Sequence, residues 1–194
     1  MNEVKWRKLE LCGAVFTFAA GLLLYFCYEF SSGAVWAILF ASVNKSIWES
    51  VKVFTMPYVF WTFIEIAMIR IPLKRIVVVK TLGLYILLTG KILFFSVYSS
   101  AVGRRSLFLH MAVSAAFIVI VFVITYKMIV SEAKVEGFFV VAAFSFALFL
   151  SMYLAFTVNP PKVNLFLDPD TQLYGILPKL LDVGAFFLDS IAVQ

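Results

Sequence analysis

The stretch Asn44-Lys45-Ser46-Ile47-Trp48-Glu49-Ser50-Val51-Lys52 gathers an amide, two hydroxyls, a carboxylate and two ammonium groups. Ser46-x-x-Glu49 has the pattern of a capping box. The Ser46 hydroxyl would accept from the Glu49 amide, and the Glu49 side chain would reach back to the Ser46 amide. Such a cap opens a helix and accounts for Ser46 and Glu49, with Trp48 anchored at an interface. It does not account for Asn44, or for Lys52 one turn further in. The stretch is therefore read in two ways, as a cap alone and as a cap that also carries a ligand site.

A second stretch runs Asn159-Pro160-Pro161-Lys162-Val163-Asn164-Leu165-Phe166-Leu167-Asp168-Pro169-Asp170-Thr171-Gln172-Leu173-Tyr174-Gly175. Asp168-Pro169-Asp170-Thr171 reads as a turn, because Pro presets φ and Asp accepts from nearby amides. Asp168 and Asp170 also offer two carboxylates to a bound group, with Tyr174 close behind. Two carboxylates without further ligand spacing fall short of a cation site.

A third set consists of ionisable residues inside apolar runs, where they are costly and point to function. Lys91 is the deepest, eleven residues from Lys80 and eight from Ser99. His110 lies about one turn into its run. Glu29 ends the first run, and Glu65 lies close enough to Arg70 to snorkel to the near surface.

The elements that must position these groups follow from composition. Of the 194 residues, 63% are hydrophobic and 14% charged, against roughly 45–50% and about 25% in soluble domains. A soluble fold of this size could not cover so much apolar surface, and a bilayer can. The same numbers exclude a disordered chain. Five runs are long enough to cross a hydrocarbon core of roughly 30 Å: Leu9–Tyr28, Ile47–Ile69 with Pro57 as a break, Val77–Tyr98, Leu107–Tyr126 and Phe138–Val158. Gly33–Val43 is too short to span and reads as a re-entrant or interfacial piece. Ile176–Val193 holds Pro178, Lys179, Asp182 and Asp189, and reads as a weak span or an amphipathic helix. The expected fold is thus an all-α, polytopic transmembrane bundle forming one domain.

The net charge is +5. Most of its Lys and Arg residues sit in short segments between apolar runs, which argues for membrane topology and against nucleic acid. Arg70, Lys74, Arg75 and Lys80 cluster, and Lys5, Arg7 and Lys8 precede the first run. The charge rule places both groups in the cytoplasm of a cell-membrane protein, with Arg104 and Arg105 as a mild violation outside. Glu29, Glu49, Lys52, His110, Asp168 and Asp170 then fall near the outer side, with Lys91 beneath them. This arrangement predicts an outward-facing polar pocket roofed by Gly33–Val43 and the Asp168 loop, with Glu49, Glu29 or Asp168 as the carboxylate partner of Lys91. Cys12 and Cys27 would stand about 22 Å apart on one helix, too far for a disulfide. No cofactor or metal motif is recognisable.

Two stripes of small residues, Gly13/Thr17/Gly21 and Ala143/Ala147/Ser151/Ala155, recur every four residues. Such stripes let helices approach closely in lipid. Packing within the chain is the favoured reading of both, and a dimer or another membrane protein is the alternative.

The pattern Asn-x-Ser-x-Trp-Glu-x-x-Lys at 44–52, followed by Asn-Pro-Pro at 159–161 and Asp-Pro-x-Thr-x-x-Tyr-Gly at 168–175, resembles an uncharacterised family of small bacterial multi-pass membrane proteins. Its members commonly carry Glu where this chain has Lys45 and His where it has Ser50. The resemblance implies a fold class and no activity. Three functions therefore compete. The first is binding or transport of a small polar solute through the pocket, at Asn44, Ser46, Trp48, Glu49, Lys52, Lys91, His110, Asp168, Asp170 and Tyr174. The second is an enzyme acting on a lipid or lipid-linked substrate, with Glu49, His110 and Asp168 as acid, base and orienter. The third is a non-catalytic assembly protein.

Overall fold

The computed structural model describes residues 3–31, 34–68, 72–102 and 107–176. Arg70, Arg104, Arg105, Gly33, the Glu29 side chain and the expected tail beyond Ile176 lie outside the described residues.

The described chain is helical throughout its length apart from loops and one isolated bridge, Leu167 to Tyr174. Its helices are α1 (Glu3–Phe30), α2 (Val35–Phe40), α3 (Ile47–Met68), α4 (Leu73–Val102), α5 (Leu107–Val130) and α6 (Phe139–Val158), with a 3₁₀ turn at Glu136–Phe138 before α6. All but α2 are long and apolar enough to cross a membrane. The fold is the expected all-α bundle of a multi-pass membrane protein. Large apolar side chains cover its outside, among them Leu23 at 71% exposure and Phe108 at 83%. Lipid is the solvent in which such a surface costs nothing.

Successive long helices run antiparallel, so the bundle has two faces. One carries the start of α1 and the turns between α3 and α4 and between α5 and α6; we call it the N-terminal face. The other carries α2 and the loop of residues 159–176; we call it the loop face. α2 is only six residues long, about 9 Å, and tucks Ala37 and Ala41 inward against Val43 and Cys27. The re-entrant reading of this segment agrees with that placement. α3 runs unbroken through Pro57, so the expected break is not there, although the ring still leaves the Val53 carbonyl without its i+4 donor.

The core is aromatic. Phe54 and Tyr58 of α3 meet Phe122 of α5, with Phe149 and Tyr153 of α6 in the same cluster. Gly13 and Gly21 allow α1 to approach. A Cβ at Gly13 would overlap the Trp61 ring, and one at Gly21 the Phe54 ring. Thr17 between them is fully buried. The first stripe thus packs within the chain, as expected. The second does not. Ala147, Ser151 and Ala155 are exposed and Ala143 is half-buried, while α6 turns Ala142, Phe149, Tyr153 and Thr157 inward. Aromatic area is one reason for that setting. The Tyr153 hydroxyl is the other: it needs a partner away from water and donates to Leu39 O at 2.6 Å.

At the N-terminal face Arg75 clamps the end of α5. Its guanidinium donates to Ile129 O, Met128 O, Ala133 O and Ser131 O, and pairs with Glu136 at 3.0 Å. It serves carbonyls that the end of a helix leaves without donors. Arg75 is therefore a structural clamp as well as a charge in a basic loop.

Candidate functional site

The two polar stretches meet at the loop face. Asn44 Nδ2 donates to Gly175 O at 2.8 Å. The Lys45 amide donates to Asp168 Oδ2 at 3.1 Å, and the Trp48 amide to Leu165 O at 3.1 Å. Asp168 also accepts from the amides of Asp170 and Thr171. Its role is the expected turn chemistry, extended across 123 residues of chain to hold α3. Gly175 sits at φ 72°, a region that favours glycine. Lys45 pairs with Asp170 at 2.7 Å on the exposed rim. This hydrogen bond holds the Lys45 ammonium above its usual range. Tyr174 is half-buried beside the bridge to Leu167.

The cap of α3 is built differently from the expected box. The Glu49 amide does donate to Ser46 Oγ at 3.2 Å, but the return bond comes from elsewhere: the Ser46 amide donates to Asn44 Oδ1 at 2.8 Å. That substitution frees the Glu49 carboxylate, which takes the Val43 amide at 3.0 Å and Lys52 Nζ at 2.7 Å. Trp48 is not an interface anchor. It is 4% exposed and packs on Phe156 and Phe166, because the loop folds over it.

Beneath this cap lie three buried ionisable side chains. Glu49 and Lys52 form a pair, with Lys52 also donating to Ile38 O of α2 at 3.2 Å. Lys91 of α4 is wholly buried. It donates to Ser50 O at 3.2 Å, and its ammonium lies 4.0 Å from the Phe54 ring centroid. The expected carboxylate partner is not there. Among the described residues no carboxylate lies within ion-pair distance of Lys91, since Glu49 is held by Lys52 and Asp168 by backbone amides. His110 completes the layer, buried among Tyr25, Phe54 and Phe95. Neither Glu49 nor Asp168 exchanges a hydrogen bond with His110, so the acid, base and orienter of the enzyme reading do not form a relay in this structure.

A second buried cluster went unread in the sequence. Lys80 of α4 lies 2.8 Å from Glu10 of α1 and 2.6 Å from Glu65 of α3. All three side chains are at most 4% exposed. Trp61 Nε1 donates to Glu65 Oε1 at 2.8 Å, and Thr125 Oγ1 to Glu10 Oε2 at 3.4 Å. Glu65 therefore does not snorkel, and Lys80 does not belong to the exposed basic loop. Each has found the other across the helix interface, which spares both the cost of lone burial. The readable signal was depth. Glu10 and Lys80 each fall seven residues into their helices from the N-terminal face, and Glu65 falls three residues from the same face.

A cavity of about 60 Å³ lies between α3, α4 and α6, lined by Tyr58, Thr62, Phe63, Lys80, Thr81 and Phe146 among others. None of the ten residues singled out at the loop face lines it. A protein-family model described as a family of unknown function, DUF6512, matches residues 1–176. The chain belongs to that family. The matched DUF6512 region takes in both polar stretches, α2 and both buried clusters. No curated protein and no solved structure matches the chain.

Proposed function

We propose that this DUF6512 protein binds a small anionic solute inside the bundle, beneath α2 and the 159–176 loop, as part of moving it through the membrane. The carrying observation is Lys91. It is a wholly buried lysine with one carbonyl and one ring as partners. With Glu49, Lys52 and Lys91 all ionised, the layer would hold one positive charge in excess. Alone, so buried an amine gives up its proton; an anion bound beside it would balance the charge and keep it. The roof is held by Lys52 to Ile38 O, Tyr153 to Leu39 O, Asn44 to Gly175 O, the Lys45 amide to Asp168, the Trp48 amide to Leu165 O and the Lys45–Asp170 pair. Breaking them would open the layer to the loop face.

Native mass spectrometry of the detergent-extracted chain tests this reading. A small anion should travel with the parent and be missing from Lys91→Met. The same adducts on both proteins, or none on either, would remove its support.

One observation favours a second reading, an assembly protein. The Ala143–Ala155 stripe faces outward, where a helix of another chain could approach closely. Cross-linking through a cysteine at position 147 in native membranes would show it. On orientation, the N-terminal face carries exposed Arg7, Lys8, Lys74, Lys127 and Lys134, and the charge rule makes that face cytoplasmic. A cysteine at 171 should then label from outside and one at 74 should not. The reverse pattern would invert the topology.

A further inference from the structure

We propose that Glu10, Glu65 and Lys80 form a proton-binding site, in which two carboxylates share one proton beside a single ammonium. The argument is one of charge balance in a place without water. Fully ionised, the cluster carries one negative charge in excess, enclosed by helices α1, α3, α4 and α5. Among the described residues its surroundings supply no second cation: the groups that face it are Trp6 and Glu10 from α1, Tyr58, Trp61 and Glu65 from α3, Phe122 and Thr125 from α5, with Tyr126 packed beside Trp6. None of these is positive. An isolated excess charge of this kind is too costly to keep, and a carboxylate in that position takes up a proton instead.

Geometry limits what the occupant can be. Lys80 Nζ stands 2.8 Å from Glu10 Oε1 and 2.6 Å from Glu65 Oε2, one ammonium against two carboxylates. A metal ion is a poor alternative, because Lys80 already occupies the space between the two carboxylates at 2.8 and 2.6 Å. A cavity of about 60 Å³ lies beside Lys80, between α3, α4 and α6. On binding, an O–H bond forms at a carboxylate oxygen as a hydronium ion gives up its proton to leave water. On release the same bond breaks and the proton returns to water. The cluster thus alternates between a net charge of zero and minus one. The residues are separate from those of the loop-face layer, so this inference does not depend on the anion reading.

The test is a pH titration by infrared spectroscopy of the full chain in phosphatidylcholine vesicles. The parent should show the carbonyl stretch of a protonated carboxyl above about pH 5, where exposed carboxyls are already ionised, and should lose it as pH rises further. Glu65→Gln and Glu10→Gln should each abolish that band, because one carboxylate and Lys80 balance without a proton. Glu132→Gln, at an exposed site, should leave it in place. Absence of the band from the parent, or its survival in either folded Gln variant at Glu10 or Glu65, overturns the proposal. The two variants are independent, and the parent titration decides even where one of them fails to fold.

Discussion

The two buried clusters are built from the same parts in opposite proportion. At the loop face, one carboxylate, Glu49, meets two lysines, Lys52 and Lys91. At the N-terminal face, two carboxylates, Glu10 and Glu65, meet one lysine, Lys80. Lys80 and Lys91 lie on the same helix, about 16 Å apart along its axis. The difference is in connectivity. Lys80 touches both of its acids directly and ties α4 to α1 and α3. Lys91 touches no acid among the described residues, and nothing charged depends on it. The cluster at the N-terminal face ties three helices together; the layer at the loop face leaves one lysine without a described carboxylate.

The comparison predicts its own largest effect. Lys80→Met should orphan two buried carboxylates at once. Breaking one buried pair typically costs about 3–5 kcal/mol, so thermal unfolding in detergent should show a loss of at least that order. The loss should shrink as pH falls, because protonating Glu10 and Glu65 removes the orphaned charges. A variant as stable as the parent would show that Lys80 is not the tie between the helices. Lys91→Met should behave differently. It exchanges a buried amine with no carboxylate partner for an apolar chain of similar length, which removes a desolvation cost, so stability should hold or rise. If it destabilises as much as Lys80→Met, the two clusters are equivalent and the contrast between them fails.

Two smaller effects calibrate the pair. Lys45 and Asp170 are exposed, and a surface pair contributes about 0.2–1 kcal/mol, so Lys45→Ala should fall in that range. The Asp170 hydrogen bond raises the folded-state value of Lys45. The contribution is therefore present below the usual lysine value near 10.5 and fades as pH climbs past it. Double-mutant cycles with Asp170→Asn would measure it. Smallest of all should be Ala147→Leu. On an outward-facing stripe it overpacks nothing within the chain, and thermal stability should stay within about 0.5 kcal/mol of the parent. A drop of 1–3 kcal/mol, the usual result of overpacking a core, would mean that α6 is rotated from the setting described here.

Much of the architecture was legible because it is local. Five helices, the short segment over 35–40 and the Asp168 turn follow from run length, composition and capping chemistry, each within a few neighbouring residues. The two polar stretches at 44–52 and 159–175 were recognisable as special, and their meeting at one face followed from counting crossings. Their division of labour did not follow. Asn44 takes the return bond of the cap and Glu49 turns to Lys52, a choice made only once Gly175 and Ile38 are in place to hold Asn44 and Lys52. The same holds for the rotation of α6. Its small residues and its aromatic residues are both periodic, and the aromatic core together with the carbonyl of Leu39 decides that Tyr153 turns inward and Ala147 outward. Glu10, Glu65 and Lys80 are the clearest case. Each reads alone as a charge near a helix end that can reach the surface. Sequence determines how deep each charge sits, because depth is a count along one helix. Which charges face one another depends on how three helices rotate about their axes, and that is set by the packing of aromatic side chains and glycines drawn from the whole chain.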